Sequence, residues 1–146
     1  MALRAGHWDE ARRLILAQKD LPPGLKPKIG PFIEALADPA KRPAVVAELQ
    51  QLDPKIAKQS DLLMPYLELK QYDIAFDVMN KSLDKDRLAW AHSWDIMHVW
   101  APESAAFRRD PRFAQFVQRI GLVDYWKQYG YPDGCRAGSD APIVCS

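Results

Sequence analysis

The sequence predicts an all-α protein built of helical hairpins, stacked as a short solenoid and closed by C-terminal capping helices. Three observations carry this prediction. Apolar residues recur at helical spacing along most of the chain, and no stretch alternates as a half-buried strand would. Twelve prolines and seven glycines fall largely at the breaks between those runs, where helices start and stop. A short pattern also occurs twice: Gly6, Trp8, Ala11 and Ile15 match Lys70, Tyr72, Ala75 and Met79 in spacing.

Trp8–Gln18 reads as the first complete helix, with Trp8, Ala11, Leu14, Ile15 and Ala17 on its apolar side and Asp9 and Glu10 favouring its N-terminus. Leu21-Pro22-Pro23-Gly24 stops it. Ile29–Ala37 follows, with Phe32, Ile33 and Leu36 inward and Pro31 expected in the first turn, where a missing N–H is tolerated. Asp38-Pro39 leads to Pro43–Leu52, which contributes Val45, Val46, Leu49 and Leu52. Asp53-Pro54 then offers an N-cap and N1 pair for a further start, and Ser60-Asp61 another.

The stretch Leu62–Leu83 organises the chain. Leu62, Leu63, Tyr66, Leu67 and Leu69 form one apolar run, the pattern breaks at Lys70-Gln71, and it restarts with Tyr72, Ala75, Phe76, Val78, Met79 and Leu83. Two helices folded back on each other are expected there, approaching closely at the small Ala75. Beyond the polar turn Asp84–Arg87, Leu88–Trp100 carries Trp90, Trp94 and Met97 on one side. Asp110-Pro111 opens Arg112–Ile120, whose stripe is Phe113, Phe116, Val117 and Ile120, and Gly121 ends it as a C′ residue. Val123–Tyr129 is a last short helix before a tail of little periodicity. The expected organisation is hairpins over 1–84, a cap over 85–134 and a tail over 135–146.

Composition excludes several classes. A chain of 146 residues suits one domain that buries roughly two-thirds of its unfolded surface. Hydrophobic residues at 48% point to a packed core instead of a disordered chain. A net charge of +1, from 20 basic and 19 acidic residues, supplies no field to steer nucleic acid or an anionic membrane. No apolar run reaches the ~18 residues that a membrane span needs. The start lacks the apolar segment of a secretory signal.

The repeated pattern resembles the tetratricopeptide signature G-x-Y-x-x-A, with Lys70 in place of the glycine in the second copy. Trp8 and Tyr72 stand 64 residues apart (72 − 8), close to two repeats of about 34, and Gly24–Leu52 stands in for a middle repeat. The segment Phe107–Cys135, with Arg-Asp-Pro-Arg-Phe, Gly-Leu, Tyr-Trp, Pro-Asp and Cys in that order, is similar to the C-terminal end of bacterial tetratricopeptide proteins. Many of those carry a winged-helix DNA-binding domain or a nucleotide-cyclase domain, often joined through one membrane span.

The resemblance implies that Phe113 and Phe116 plug the end of a repeat stack and that Tyr125-Trp126 pack back over it. It also implies that ALRAGHW ends the first helix of a truncated repeat, so that the chain is part of a longer regulatory protein; the alternative is that this stretch is a divergent N-terminal cap. Its compartment, periplasmic or cytoplasmic, would then depend on the upstream region. An exposed face on the first helix would allow a homodimer.

Candidate chemistry is sparse. His92, Asp95 and His98 have metal-ligand character, but six residues turn a helix about 120° away from alignment, so packing or surface histidines are the default and no metal is expected. Trp8, Trp90, Trp94, Trp100 and Trp126 would line a groove or fill a core; the core reading is favoured for Trp90, Trp94 and Trp126. Arg108, Arg109 and Arg112 form the densest basic group, able to grip a carboxylate or phosphate, or else pair locally with Glu103 and Asp110. Cys135 and Cys145 either close a small loop, worth ~3 kcal/mol in the chain-entropy model and implying an oxidising compartment, or stand as free thiols.

No phosphate-cradling loop, nucleophile elbow, zincin motif or hydrolase triad is visible. The expectation is therefore a non-catalytic scaffold without cofactor, binding a protein or peptide. Its contact residues would be Lys28, Glu34, Gln59, Glu68 and Lys70, which packing does not require. The alternative is a small-ligand sensory arm of a membrane-anchored transcription regulator or cyclase, with a pocket near Trp100 and Arg108.

Overall fold

The computed structural model describes residues 5–85 and 98–145, with backbone alone at Gln59, Ser60 and Lys85. Among the described residues the protein is mainly helical, with one small two-stranded ladder. The expected helix Leu88–Trp100 lies outside them except for its end, where His98 and Val99 are helical. Trp90, Trp94, His92 and Asp95 therefore lie outside the described residues. The chain divides into two compact units, Met1–Leu62 and Leu63–Ser146.

In the first unit, α1 (Trp8–Leu16) packs on α2 (Lys26–Ala37), and α2 packs on α3 (Arg42–Gln50). The core is Ala11, Phe32, Ile33, Ala35, Val45, Val46, Leu49, Leu52, Ala57 and Leu62. A 3-10 turn over Pro23–Leu25 runs straight into α2, so the helix begins three residues earlier than the sequence predicts and Pro31 lies inside it. Pro31 has no N–H to offer the carbonyl four residues back, and its ring stays exposed. Asp38 ends α2 and accepts from the Ala40 N–H at 3.0 Å, which starts the turn into α3. Arg42 Nε donates back to the Ala35 carbonyl at 3.1 Å, satisfying one of the carbonyls that the end of α2 leaves open.

Three expectations in this unit need correction. Leu14, placed on the buried side of α1, is 53% exposed, and of that helix only Ala11 is fully buried. Ala17 caps the helix and is also exposed. At Asp53-Pro54 the carboxylate accepts from the Lys55 N–H at 2.8 Å, but it holds a single turn and no helix follows.

The second unit opens with α4 (Leu63–Glu68) and α5 (Tyr72–Lys85), which pack together. Pro65 lies in the first turn of α4, where it removes no helical bond. The link between the helices is a Schellman turn. Gln71 N–H donates to the Tyr66 carbonyl at 2.8 Å, Lys70 N–H donates to Leu67 at 3.0 Å, and Lys70 sits at φ 60°. After Trp100, a 3-10 turn (Pro102–Ser104) and the four-residue α6 (Ala105–Arg108) lead to α7 (Pro111–Arg119) and α8 (Leu122–Tyr129). Asp110 caps α7, accepting from the Arg112 N–H at 3.0 Å. Gly121 at φ 86° both ends α7 and precedes the first residue of α8.

The core of this unit is aromatic. Phe107 is fully buried and stacks on Phe76 with centroids 4.3 Å apart. It meets Tyr72 edge-on at 5.5 Å and Phe113 at 6.0 Å. Burial of a side chain this size is worth roughly 1.5–3 kcal/mol. Phe113, Phe116 and Trp126 are buried, as their helical spacing predicts, but Tyr125 is 56% exposed and pairs with Tyr129 on the surface at 4.7 Å.

The tail is not featureless. Cys135–Arg136 (β1) pairs antiparallel with Val144–Cys145 (β2), with Cys135 opposite Cys145. Two-residue strands are too short to betray themselves by alternation, which is why an all-helical reading passed over them.

Candidate functional site

The two copies of the short sequence pattern adopt one local conformation. Gly6 has φ 73° and Lys70 has φ 60°. The next residue, His7 or Gln71, accepts at its carbonyl from the N–H of the fourth residue on: Ala11 to His7 at 2.9 Å, Ala75 to Gln71 at 3.0 Å. The aromatic residue starts the helix in each case, and the alanine three residues later is buried, at 3% exposure for Ala11 and 0% for Ala75. Lys70 thus occupies the backbone state that glycine occupies in the first copy, a state that costs other L-residues about 1–2 kcal/mol. Its ammonium reaches the Glu103 carbonyl at 3.3 Å.

A hollow of about 270 Å³ opens beside this second turn, lined by Lys70, Gln71, Tyr72, Asp73 and Arg112. Arg112 is its anchor. Nε and Nη2 donate to the two oxygens of Asp110 at 2.9 and 2.7 Å, and Nη1 donates to Asp73 at 2.6 Å, tying α7 to α5. The guanidinium also lies over the Phe76 ring, 4.6 Å from its centre. These bonds hold the Asp110 carboxyl below its ordinary value and raise Arg112 above its own. Burial raises the Tyr72 hydroxyl; nearby Arg109 opposes that shift and Asp110 adds to it.

The five expected contact residues are not brought to one place within either unit. Lys28 and Glu34 lie on α2 and are engaged in exposed pairs, Lys28 with Glu48 at 2.9 Å and Glu34 with Lys41 at 2.7 Å. The hydrogen bond to Lys41 lowers the proton affinity of Glu34 and raises that of Lys41. Gln59 falls in a 3-10 turn of the first unit. Glu68 and Lys70 belong to the α4–α5 turn of the second unit.

Trp100 and Arg108, the expected pocket pair, pack against each other. The Trp100 ring meets Phe113 and Trp126 edge-on, each at 5.7 Å, and the Arg108 guanidinium lies 5.8 Å from its centre. Arg108 Nη1 donates to the carbonyls of Val99 at 2.8 Å and Ala101 at 2.9 Å. Burial, and then the neighbouring Arg109 charge, lower its proton affinity. Ser104, buried beside this segment, donates to the His98 carbonyl at 2.8 Å.

A different cavity, of about 370 Å³, does include Arg108 but not Trp100. Arg108, Arg109 and Asp110 line it with Ala114, Ile143 and Cys145. Ile143 and Cys145 are buried, and they are held by the Cys135–Cys145 disulfide, whose Cα atoms lie 4.1 Å apart. Sequence reasoning passed over this tail as a wall. The apolar triplet Ile143-Val144-Cys145 after Pro142 was the available signal.

Among the described residues, no group of three or more His, Cys, Asp or Glu could hold a metal ion, and His98 is exposed. No helix there is long and apolar enough to cross a membrane. No protein-family profile, curated protein or solved structure matches this chain.

Proposed function

We propose that the chain is a non-catalytic helical-repeat module that binds a protein or peptide partner as part of a larger regulatory protein. The observation that supports this is the recurrence of one turn, Gly6-x-Trp8-x-x-Ala11 and Lys70-x-Tyr72-x-x-Ala75, with the same left-handed residue and the same buried alanine. Recurrent helical turns of this kind build surfaces from successive hairpins, and partners are then read by the side chains that packing leaves over. Lys28 and Glu34 fit that role because exposed ion pairs are worth little and exchange partners readily. Glu68 and Lys70 fit it because they border the α4–α5 turn, and Gln59 joins them as the remaining contact residue.

The test is selection of peptides from a random display library on the immobilised oxidised protein, followed by alanine substitution at these five positions. A selected peptide whose affinity falls about fivefold or more at one of them supports the reading, since an interface residue that matters costs more than about 1 kcal/mol when truncated. Unchanged affinity at all five removes them as contacts. Failure to enrich any peptide removes the function.

A further inference from the structure

We propose that the 370 Å³ cavity beside Arg109 is a binding site for a small carboxylate with an apolar body, of the size of a six-carbon or single-ring acid. The inference is independent of the partner-binding reading. It begins with charge. Arg112 is neutralised by Asp110 and Asp73, in bonds of 2.6 to 2.9 Å. Arg108 donates to two neutral carbonyls. The Arg109 side chain has no ion-pair or hydrogen-bond partner among the described residues, and it is exposed at the cavity. Two adjacent arginines thus line one opening, and neither is paired with a carboxylate among the described residues.

The cavity also has a body. Ala114 of α7 and Ile143 and Cys145 of the terminal ladder are buried, and they supply an apolar floor. The volume lies at the lower end of the range for small-molecule sites, which suits a ligand of modest size. Asp110 matters by exclusion. Its carboxylate already caps α7 and is held in the Arg112 fork, so an incoming anion does not take the helix N-terminus and is left to Arg109 and Arg108. Guanidinium groups favour carboxylates through charge-assisted, often paired, hydrogen bonds. A cationic rim over an apolar floor selects an acid that carries hydrocarbon over either feature alone.

The test is titration calorimetry on the full oxidised chain with hexanoate, acetate and 1-hexanol as probes. Hexanoate should bind saturably at one site, with acetate and 1-hexanol at least about tenfold weaker, because each lacks one half of the recognition. Arg109→Gln, an exposed and fold-neutral change, should weaken hexanoate about tenfold and leave 1-hexanol unchanged. Absence of saturable hexanoate binding overturns the site. Equal affinity for hexanoate and 1-hexanol, or an Arg109→Gln variant that binds hexanoate as the parent does, overturns the role of the arginines.

Discussion

The two copies of the aromatic turn share a backbone but lead into helices that are buried to different depths. In the first, the helix begun by Trp8 buries only Ala11 fully, and Leu14 and Leu16 remain 53% and 37% exposed. In the second, the helix begun by Tyr72 buries Ala75, Phe76, Val78, Met79 and Leu83. Local sequence therefore sets the turn, while the depth of burial is set by the neighbours each helix finds. For α5 those neighbours are α4 and α7, together with the Phe107 ring stacked on Phe76.

The strongest check on that contrast is a pair of truncations. Phe107→Ala should cost about 3–5 kcal/mol of stability, as loss of a fully buried ring does, while Leu14→Ala should stay within about 0.5 kcal/mol. Equilibrium denaturation reads both, and equal losses would erase the difference between the copies.

Next in size is the disulfide, which only the second unit contains. Replacing both Cys135 and Cys145 by serine should lower stability by ~3 kcal/mol in the chain-entropy model, and a reductant should lower the parent protein to the same level. A variant as stable as the parent would mean that the ladder holds without its bridge.

Asp110 gives a smaller effect with a pH signature. Its folded-state proton affinity lies below the ordinary carboxylate value of 3.8, chiefly because Arg112 hydrogen-bonds to it. The folded protein therefore resists protonation here more than the unfolded chain does. That stabilisation is complete above the unfolded value and is lost as pH falls through the folded one. Asp110→Asn should cost about 1 kcal/mol at neutral pH, and the difference from the parent should shrink as the pH falls below the unfolded value and through the folded one. A difference that persists in acid would assign the effect to something other than the Arg112 fork.

The smallest effects interconvert the copies. Lys70→Gly should gain up to about 1 kcal/mol by relieving the left-handed backbone, and Gly6→Ala should lose about as much. Thermal denaturation of both variants suffices. A loss at Lys70→Gly would show that the lysine bond to the Glu103 carbonyl outweighs the strain.

Much of the helical layout was legible in the sequence. Asp110-Pro111 and Gly121 marked both ends of α7, and the Lys70-Gln71 break marked the α4–α5 turn, because caps and turns depend on residues a few positions apart. Phe107 was missed as the centre of the second core, since a four-residue helix between Pro102 and Asp110 is too short to show a period. Leu14 was misplaced for the converse reason: a periodic stripe says which face is apolar and not how far a neighbour covers it. The basic cluster was visible as Arg108, Arg109 and Arg112. Which of them lacks a carboxylate was not, because the Asp73–Arg112 bond spans 39 positions of chain. The pairing of Cys135 with Cys145 was one of two open alternatives until the ladder placed them opposite each other.

The disulfide also changes what a protease can do to this chain. Arg136 is exposed and lies inside the ring that Cys135 and Cys145 close. A trypsin-like cut after it severs the backbone and adds the mass of one water, yet residues 137–146 stay attached through the bridge. Ile143 and Cys145 then remain tethered to the body that they cover. Such a nick is silent on a non-reducing gel and appears only when a reductant releases the last residues. A protein clipped at this point can therefore persist as two chains with its cavity-lining residues still covalently attached.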